Sequence, residues 1–378
     1  MSKLEELIQK YCPNGVEYRL VGEVCEVLTG GEAPIDAIKG KEPNGDCIYP
    51  IYSNGVGDNA LWGFASTYRI SRASVTFSSI GTIGCPTVRE CSYTPIIRLK
   101  VIYPKDDSLL NVYFIKYALE AVEFEQQKSS VPNINASMIK SISIPVPPLP
   151  VQEEIVKSLD TFLELQKELQ KELQKRKEQY QHYQDYLLNK SKFSRHISIG
   201  ELCEVRKGNT AIQKAKEGIY PLVVTTMERR SCDEYQFNAN AVCIPLVSSR
   251  GHGIASLNHV YYQEGKFALG NILCAVIPSD ESVLKAKFLY YYLEYAKDYT
   301  LVPLMKGGAN VSMHCSDIEK VKIPVPSLDE QERIISILDR FDALTNDLST
   351  GLPAEIEKRK QQYEYYRDKL LTFKRKEA

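Results

Sequence analysis

The chain has 378 residues, 43% hydrophobic and 25% charged, which allows two ordinary buried cores and excludes a disordered or fibrous class. No run approaches the roughly 18 apolar residues of a membrane span, and the opening MSKLEELIQKYCPNGV lacks a secretory leader's apolar core, so we expect a cytoplasmic protein without a membrane partner. The formal net charge of -1 argues against a chain that grips nucleic acid alone, so any such surface must be a local patch or be shared with a partner.

In chain order, residues 1–16 form a helical segment and 17–143 a first variable domain. That domain alternates short β-branched and aromatic runs with turn residues, as in ASVTFSSIGTIGCPTV (73–88) and YTPIIRLKVIYP (93–104), and then carries the short helix LLNVYFIKYALEAVEF. A small mixed sheet with helices beside it fits this pattern. Its loops YSNGVGDNALWGF (52–64) and RISRAS (69–74) offer Asn54, Asp58, Asn59, Arg69 and Arg72. Side chains of this kind exchange two hydrogen bonds in one plane and suit base edges, although an ordinary solvated loop uses them too. The polar loop QQKSSVPNINASM (126–138) adds Lys128, Ser130 and Asn133, a composition that lets a backbone approach a phosphate and neutralise it.

A proline hinge, Ile144-Pro-Val-Pro-Pro-Leu-Pro, opens the segment 144–193; it cannot be helical and therefore ends a domain. From about 151 to 190 follows a long helix with Ile155, Leu159, Phe162, Leu169, Leu173, Tyr180, Tyr183 and Leu187 on one stripe. Within it, LQKELQKELQKRK steps Leu165, Leu169 and Leu173 by four.

The chain then repeats itself. ISIPVPPLPVQEEIVKSLDTF (142–162) returns as VKIPVPSLDEQERIISILDRF (321–341) at an offset of 179, and RKEQYQHYQDYLL (176–188) as RKQQYEYYRDKLL (359–371) at 183. Upstream, VGEVCEV (21–27) matches IGELCEV (199–205). Residues 194–322 are thus a second variable domain and 323–378 a second hinge and long helix, with Leu344, Leu348, Leu352, Ile356, Tyr363 and Tyr366 on its stripe. The four extra residues of the second copy read as one added helical tetrad.

At about 1.5 Å per residue each helix spans on the order of 60 Å and cannot bury its stripe alone. The two are expected to pair antiparallel across a pseudo-twofold axis, with the domains at opposite ends and the termini close together. In the second helix, Gly351 and Pro353 are residues that break or kink a helix. The tyrosines sit at helical spacing and read as helix contacts.

The second domain's loops TTMERRS (225–231) and SSRGHGIASLNHVYY (248–262) offer Arg229, Arg230, Arg250, His252, Asn258 and His259, and MKGGANVSMHC (305–315) offers Lys306 and Asn310. The ten cysteines never pair as C-x-x-C, and the histidines lack ligand spacing, so reduced thiols and no metal are expected. There is no methyl-donor loop, no P-loop and no Asp/Asn-Pro-Pro-Tyr/Phe motif, so no catalytic residues are assigned.

The repeated Ile-Pro-Val-Pro hinges, Gln152 and Gln331 after them, the RKxQYxxYxDxLL blocks and the leucine tetrads together resemble the specificity subunit of type I restriction-modification systems. The resemblance spans the whole chain and implies an α+β, internally duplicated fold of two target recognition domains separated by two long antiparallel helices in a near-circular arrangement. It implies that each domain reads half of a split, asymmetric double-stranded DNA target, and that the helices set the spacing and dock two modification (methyltransferase) subunits. S-adenosylmethionine would belong to those subunits, and ATP and Mg to the restriction (motor and nuclease) subunits, leaving no cofactor in this chain. Gln152, Ile155, Gln331 and Ile334 are the implied docking residues. A specificity subunit of a related fused methyltransferase-nuclease, or a two-headed adaptor that binds no DNA, are the competing readings.

Overall fold

The computed structural model describes residues 3–79, 84–122, 134–189, 193–347 and 349–376. They form two units, 1–169 with 356–378 and 170–355.

The first unit opens with α1 (Lys3–Tyr11), β1 (Tyr18–Leu20), α2 (Val21–Val24) and β2 (Cys25–Thr29). There follow β3 (Ile38–Lys39), β4 (Tyr49–Tyr52), β5 (Leu61–Ala65), β6 (Ser74–Phe77), β7 (Thr87–Arg89), β8 (Thr94–Pro95) and β9 (Lys100–Pro104). Helices α3 (Val112–Glu120) and α4 (Ala136–Lys140), strand β10 (Ser143–Pro145) and the 40-residue α5 (Leu149–Leu188) complete the run. Asn111 and Asn135 cap α3 and α4, each side chain accepting backbone N–H groups of the first turn. Pro150 lies in the first turn of α5, where its missing N–H costs nothing.

The strands make two four-stranded sheets, β2-β9-β6-β7 and β3-β5-β4-β8, while β1 pairs with β10, the strand that opens the hinge. Val75, Phe77 and Ile102 of the first sheet bury against Phe114 and Ile115 of α3, and Ile155 and Leu159 of α5 close the same core. The C-terminal tail is stitched to the start of the chain: Val16 N–H donates to Lys374 O at 2.8 Å and Lys376 N–H to Val16 O at 3.0 Å. The expected proximity of the termini is therefore present within this unit.

The second unit contains β11 (His196–Ser198), α6 (Ile199–Leu202), β12 (Cys203–Lys207), β13 (Tyr220–Val223), β14 (Arg230–Cys232), β15 (Phe237–Asn238), β16 (Ala241–Pro245), β17 (Tyr261–Gln263), β18 (Lys266–Leu269) and β19 (Leu273–Pro278). Then come α7 (Ala286–Thr300), α8 (Cys315–Ile318), β20 (Lys322–Pro324), α9 (Leu328–Thr345) and α10 (Leu352–Leu371), whose last sixteen helical residues belong to the first unit. The sheet β12-β19-β16-β17 reproduces β2-β9-β6-β7, and β14-β13-β18 reproduces β5-β4-β8, while the fourth strand differs, β15 pairing with β18 where β3 pairs with β5. The parallel pair is the clearest match: Ile51 opposes Thr94 as Leu222 opposes Ala268. The same dipeptide, Tyr49-Pro50 and Tyr220-Pro221, opens the equivalent strands β4 and β13.

The repeated VGEVCEV and IGELCEV blocks have a steric basis. A Cβ on Gly22 would meet Lys140 Cβ at 2.9 Å, and one on Gly200 would meet Glu319 Cβ at 3.1 Å, so glycine lets each short helix sit against the turn before the hinge.

YTPIIRLKVIYP divides into β8 and β9 around a turn in which Ile97 and Arg98 both have positive φ. One expectation of the helices is corrected: the second long helix is not continuous. α9 ends at Thr345 and α10 begins at Leu352, with Asp347 accepting hydrogen bonds from Ser349 and Thr350 in the link. Gly351 is obligatory there, because a Cβ would meet Ala343 O at 2.6 Å and Asp347 O at 2.8 Å. By the two repeat offsets Thr345 aligns with Gln166 and Leu352 with Leu169, so the four extra residues lie between the end of α9 and the start of α10 and are not a tetrad added within one helix. The reason is local: Gly351 and Pro353 disfavour a helix interior, whereas Pro353 suits a helix start.

Candidate nucleic-acid interface

The repeated blocks hold each variable domain on its helix. Gln152 accepts from Asn111 N–H (2.9 Å) and donates to Leu109 O (2.8 Å) and Pro147 O (2.6 Å). Gln331 repeats this set with Lys285 N–H (2.8 Å), Val283 O (2.9 Å) and Pro326 O (3.0 Å). Both glutamines, with Ile155 and Ile334, are fully buried. The docking role expected for these four is corrected: their surfaces and the amides' hydrogen-bonding capacity are used inside the fold.

A second duplicated contact was missed in the sequence. Tyr117 donates to Asp160 and Tyr291 to Asp339, joining α3 to α5 and α7 to α9. Burial first, and then the carboxylate, pushes both phenols far above their ordinary pKa, so they remain donors. The Leu-Asp pair shared by KSLDTF and SILDRF was the available signal.

The spacer-helix residues divide by position. Phe162 stacks on Tyr366 with ring centroids 5.3 Å apart, and Phe341 lies against Tyr183 at 5.1 Å and Tyr180 at 5.9 Å. Tyr363 is buried and donates to Glu120 at 3.1 Å. Leu165 and Leu344 are exposed, Leu169, Leu173, Leu352 and Ile356 half-buried, and Leu348 lies outside the described residues. The tetrad stripe is thus less buried than its periodicity suggests.

In the first domain Asn54 faces inward, accepting from Ser79 N–H at 2.9 Å and donating to Ile97 O. Arg72 makes a paired contact with Asp107 (2.8 Å to one oxygen) and lies 4.8 Å over the Tyr103 ring. These two are structural as placed. Asn59 and Arg69 are exposed. Lys128, Ser130 and Asn133 lie outside the described residues.

In the second domain Arg229 is also structural: it donates to Gln263 Oε1 (3.0 Å), Met227 O (3.0 Å) and Tyr262 O (3.2 Å) and lies over Tyr261. Burial lowers its guanidinium pKa. By contrast Arg230, Arg250, His252, Asn258, Lys306 and Asn310 are exposed. Two loops bring Arg250, His252, Lys306 and Asn310 together, through Ser248 N–H to Val311 O (2.9 Å) and Gly253 N–H to Ala309 O (3.3 Å). His259 faces Glu294 at 3.2 Å.

Among the described residues no group of three or more His, Cys, Asp or Glu is placed to hold a metal, and no helix is long and apolar enough to cross a membrane.

This duplicated geometry agrees with what the chain is similar to. A family model described as the type I restriction modification DNA specificity domain matches residues 13–178 and again 194–358, and the chain belongs to that family. It is 29% identical to the type I restriction enzyme EcoR124I/EcoR124II specificity subunit of Escherichia coli, covering 100% of this chain and 98% of the relative. It is 27% identical to the type I restriction enzyme MpnII specificity subunit of Mycoplasma pneumoniae, over 68% of this chain and 96% of the relative. In structure it matches the type I restriction-modification S subunit of M. genitalium with a TM-score of 0.58 at 17% identity, covering 94% and 96% of the two chains. A chain from a structure of the type I restriction-modification system matches at 0.56 and 16%, over 96% and 98%. The protein is a type I specificity subunit with two target recognition domains. It is non-catalytic, and the enzymatic activity lies in its partner subunits. Membership implies DNA binding and assembly with the other subunits of the system.

Proposed function

We propose that each target recognition domain reads one half of a bipartite, asymmetric duplex DNA sequence, and that the helices fix the distance between the halves. The supporting observation is that one fold occurs twice, held by identical glutamine latches, while the exposed loop residues differ. A duplicated frame carrying different side chains suits two different half-sites. The patch of Arg250, His252, Lys306 and Asn310 supplies the local positive and planar groups that a near-neutral chain needs.

Two modification subunits complete the grip, carrying S-adenosylmethionine and methylating adenine, and restriction subunits with ATP and Mg join for cleavage. With the four buried residues withdrawn, docking falls to exposed hinge-helix positions such as Glu153, Lys157, Glu332 and Ser336. Glu332 and Ser336 border an open cleft of about 480 Å³ shared with Lys285 and Lys287. Mapping methylated adenines in the host genome with and without this gene tests the reading. Loss of one bipartite motif is expected, and an unchanged pattern from an expressed gene would overturn it.

A further inference from the structure

The turn between β8 and β9 presents two side chains that the fold does not need. Ile97 has φ of 51° and Arg98 of 61°, and Leu99 N–H closes the turn on Ile96 O at 3.1 Å. Two successive left-handed residues define a type I′ turn, where Asn-Gly is favoured and a β-branched residue is an outlier. The conformation is held from outside. Ile97 N–H donates to Gly31 O (2.8 Å) and Arg98 N–H to Gly30 O (3.1 Å). Ile97 O accepts from Asn54, and Arg98 O accepts from Ser79 Oγ at 2.9 Å. All four backbone polar groups of the pair are satisfied, while the Ile97 side chain is 53% exposed and Arg98 is exposed. Strain kept against local preference points to use.

The surroundings suit a polyanion with an apolar edge. Ile97 and Arg98 border an open cleft of about 760 Å³ with Gly30, Gly31, Glu32 and Trp62. The exposed Arg69 reaches over Gly31, and Lys39 lies 6.0 Å from the Trp62 ring, so three cations stand against Glu32.

The second domain closes a turn at the equivalent place with other residues, Asn271 and Ile272, neither of which has positive φ. Leu273 N–H closes on Gly270 O (2.9 Å), Asn271 N–H donates to Thr210 O (2.9 Å) and Gly270 N–H to Val223 O (3.0 Å). These match Leu99 to Ile96, Ile97 to Gly31 and Ile96 to Tyr52. At the exposed tip, Asn271 stands where the first domain has Ile97. One backbone position shared by both domains, with different side chains on it, is where a duplicated reader would set its choice.

We infer that this turn is a base-reading element in each domain, Ile97 and Arg98 in the first and Asn271 in the second, with the major-groove edge of duplex DNA as ligand. The chemistry fits: arginine pairs with guanine O6 and N7, asparagine with adenine N6 and N7, and isoleucine packs on a thymine methyl. The inference rests on the proposed bipartite reading.

The test uses the full chain in complex with its modification subunits, and sequences recovered from a random duplex library. Replacing the pair by another sequence that suits this turn, Ile97→Gly with Arg98→Gly, keeps the fold and removes both reading groups. The melting temperature is expected to hold or rise, while about tenfold or more discrimination is lost at one or two adjacent bases of one half-site. Asn271→Ala is expected to relax the other half-site only. Wild-type stringency in both half-sites for both variants overturns the inference, and so does a lowered melting temperature in the first variant. A wild-type complex that enriches no bipartite sequence removes the underlying functional reading instead.

Discussion

Phe162 of α5 stacks on Tyr366 of α10 in the first unit, as Phe341 of α9 lies against Tyr183 of α5 in the second. Each phenylalanine follows its own hinge and each tyrosine comes from the tail of the other long segment. Each domain is therefore closed by both helical segments. Such a ring pair contributes about 1 kcal/mol beyond its buried area. A double-mutant cycle on Phe162→Ala and Tyr366→Ala should give a coupling near that value in denaturant unfolding, and the cycle on Phe341 and Tyr183 a similar one. Additive losses at both pairs would show that the stacking holds nothing.

The glutamine latches make a separate prediction. Gln152→Leu leaves Leu109 O, Pro147 O and Asn111 N–H without their partner, and each unsatisfied buried group costs roughly 1–3 kcal/mol. The variant should lose at least about 3 kcal/mol of stability, with faster hydrogen exchange at Asn111, and Gln331→Leu should do the same at Lys285. If Gln152→Leu instead kept its stability and lost only affinity for a modification subunit, the latch assignment would fail.

The duplication, the hinges and the outer ends of the long helices were legible because they repeat as strings, whereas the break between Thr345 and Leu352 has no counterpart in the first copy. The latches were visible as conserved positions between copies, yet their role was misread, since a glutamine after a hinge looks the same facing out or in. The loops were read least well. Asn54 and Arg229 have the chemistry of readers, but their partners lie 25 and 34 residues away in the chain, at Ser79 and Gln263. The Ile97–Arg98 turn was hidden by its own β-branched sequence, because tertiary hydrogen bonds override local preference there.

Arg229 and Arg250 should separate cleanly. Arg229→Ala removes three hydrogen bonds under burial and is expected to lower the melting temperature by several degrees. Arg250→Ala should leave the melting temperature alone, weaken DNA retention by the complex and reduce the salt dependence of binding by about one ion. A destabilised Arg250→Ala with an unchanged salt slope would remove that residue from the proposed patch.

The leucine tetrads carry the last prediction. A four-residue step in a helix turns about 400° and advances about 6 Å, whereas one base pair turns roughly 35° and rises about 3.4 Å. The rotation added by a tetrad thus comes close to one base pair, while its translation exceeds one. Residues 149–188 are a single helix, so deleting Leu169–Glu172 removes one such step without a break in the backbone pattern. The gap between half-sites selected by the complex should shorten while the bases read stay the same. The link between Thr345 and Leu352 gives the contrast, since its described residues are not helical and turn no stripe. Trimming Asn346–Ser349 from that link should leave the selected gap where it was, with any loss confined to stability. A gap that follows the link rather than the α5 tetrads would move the spacing function out of α5.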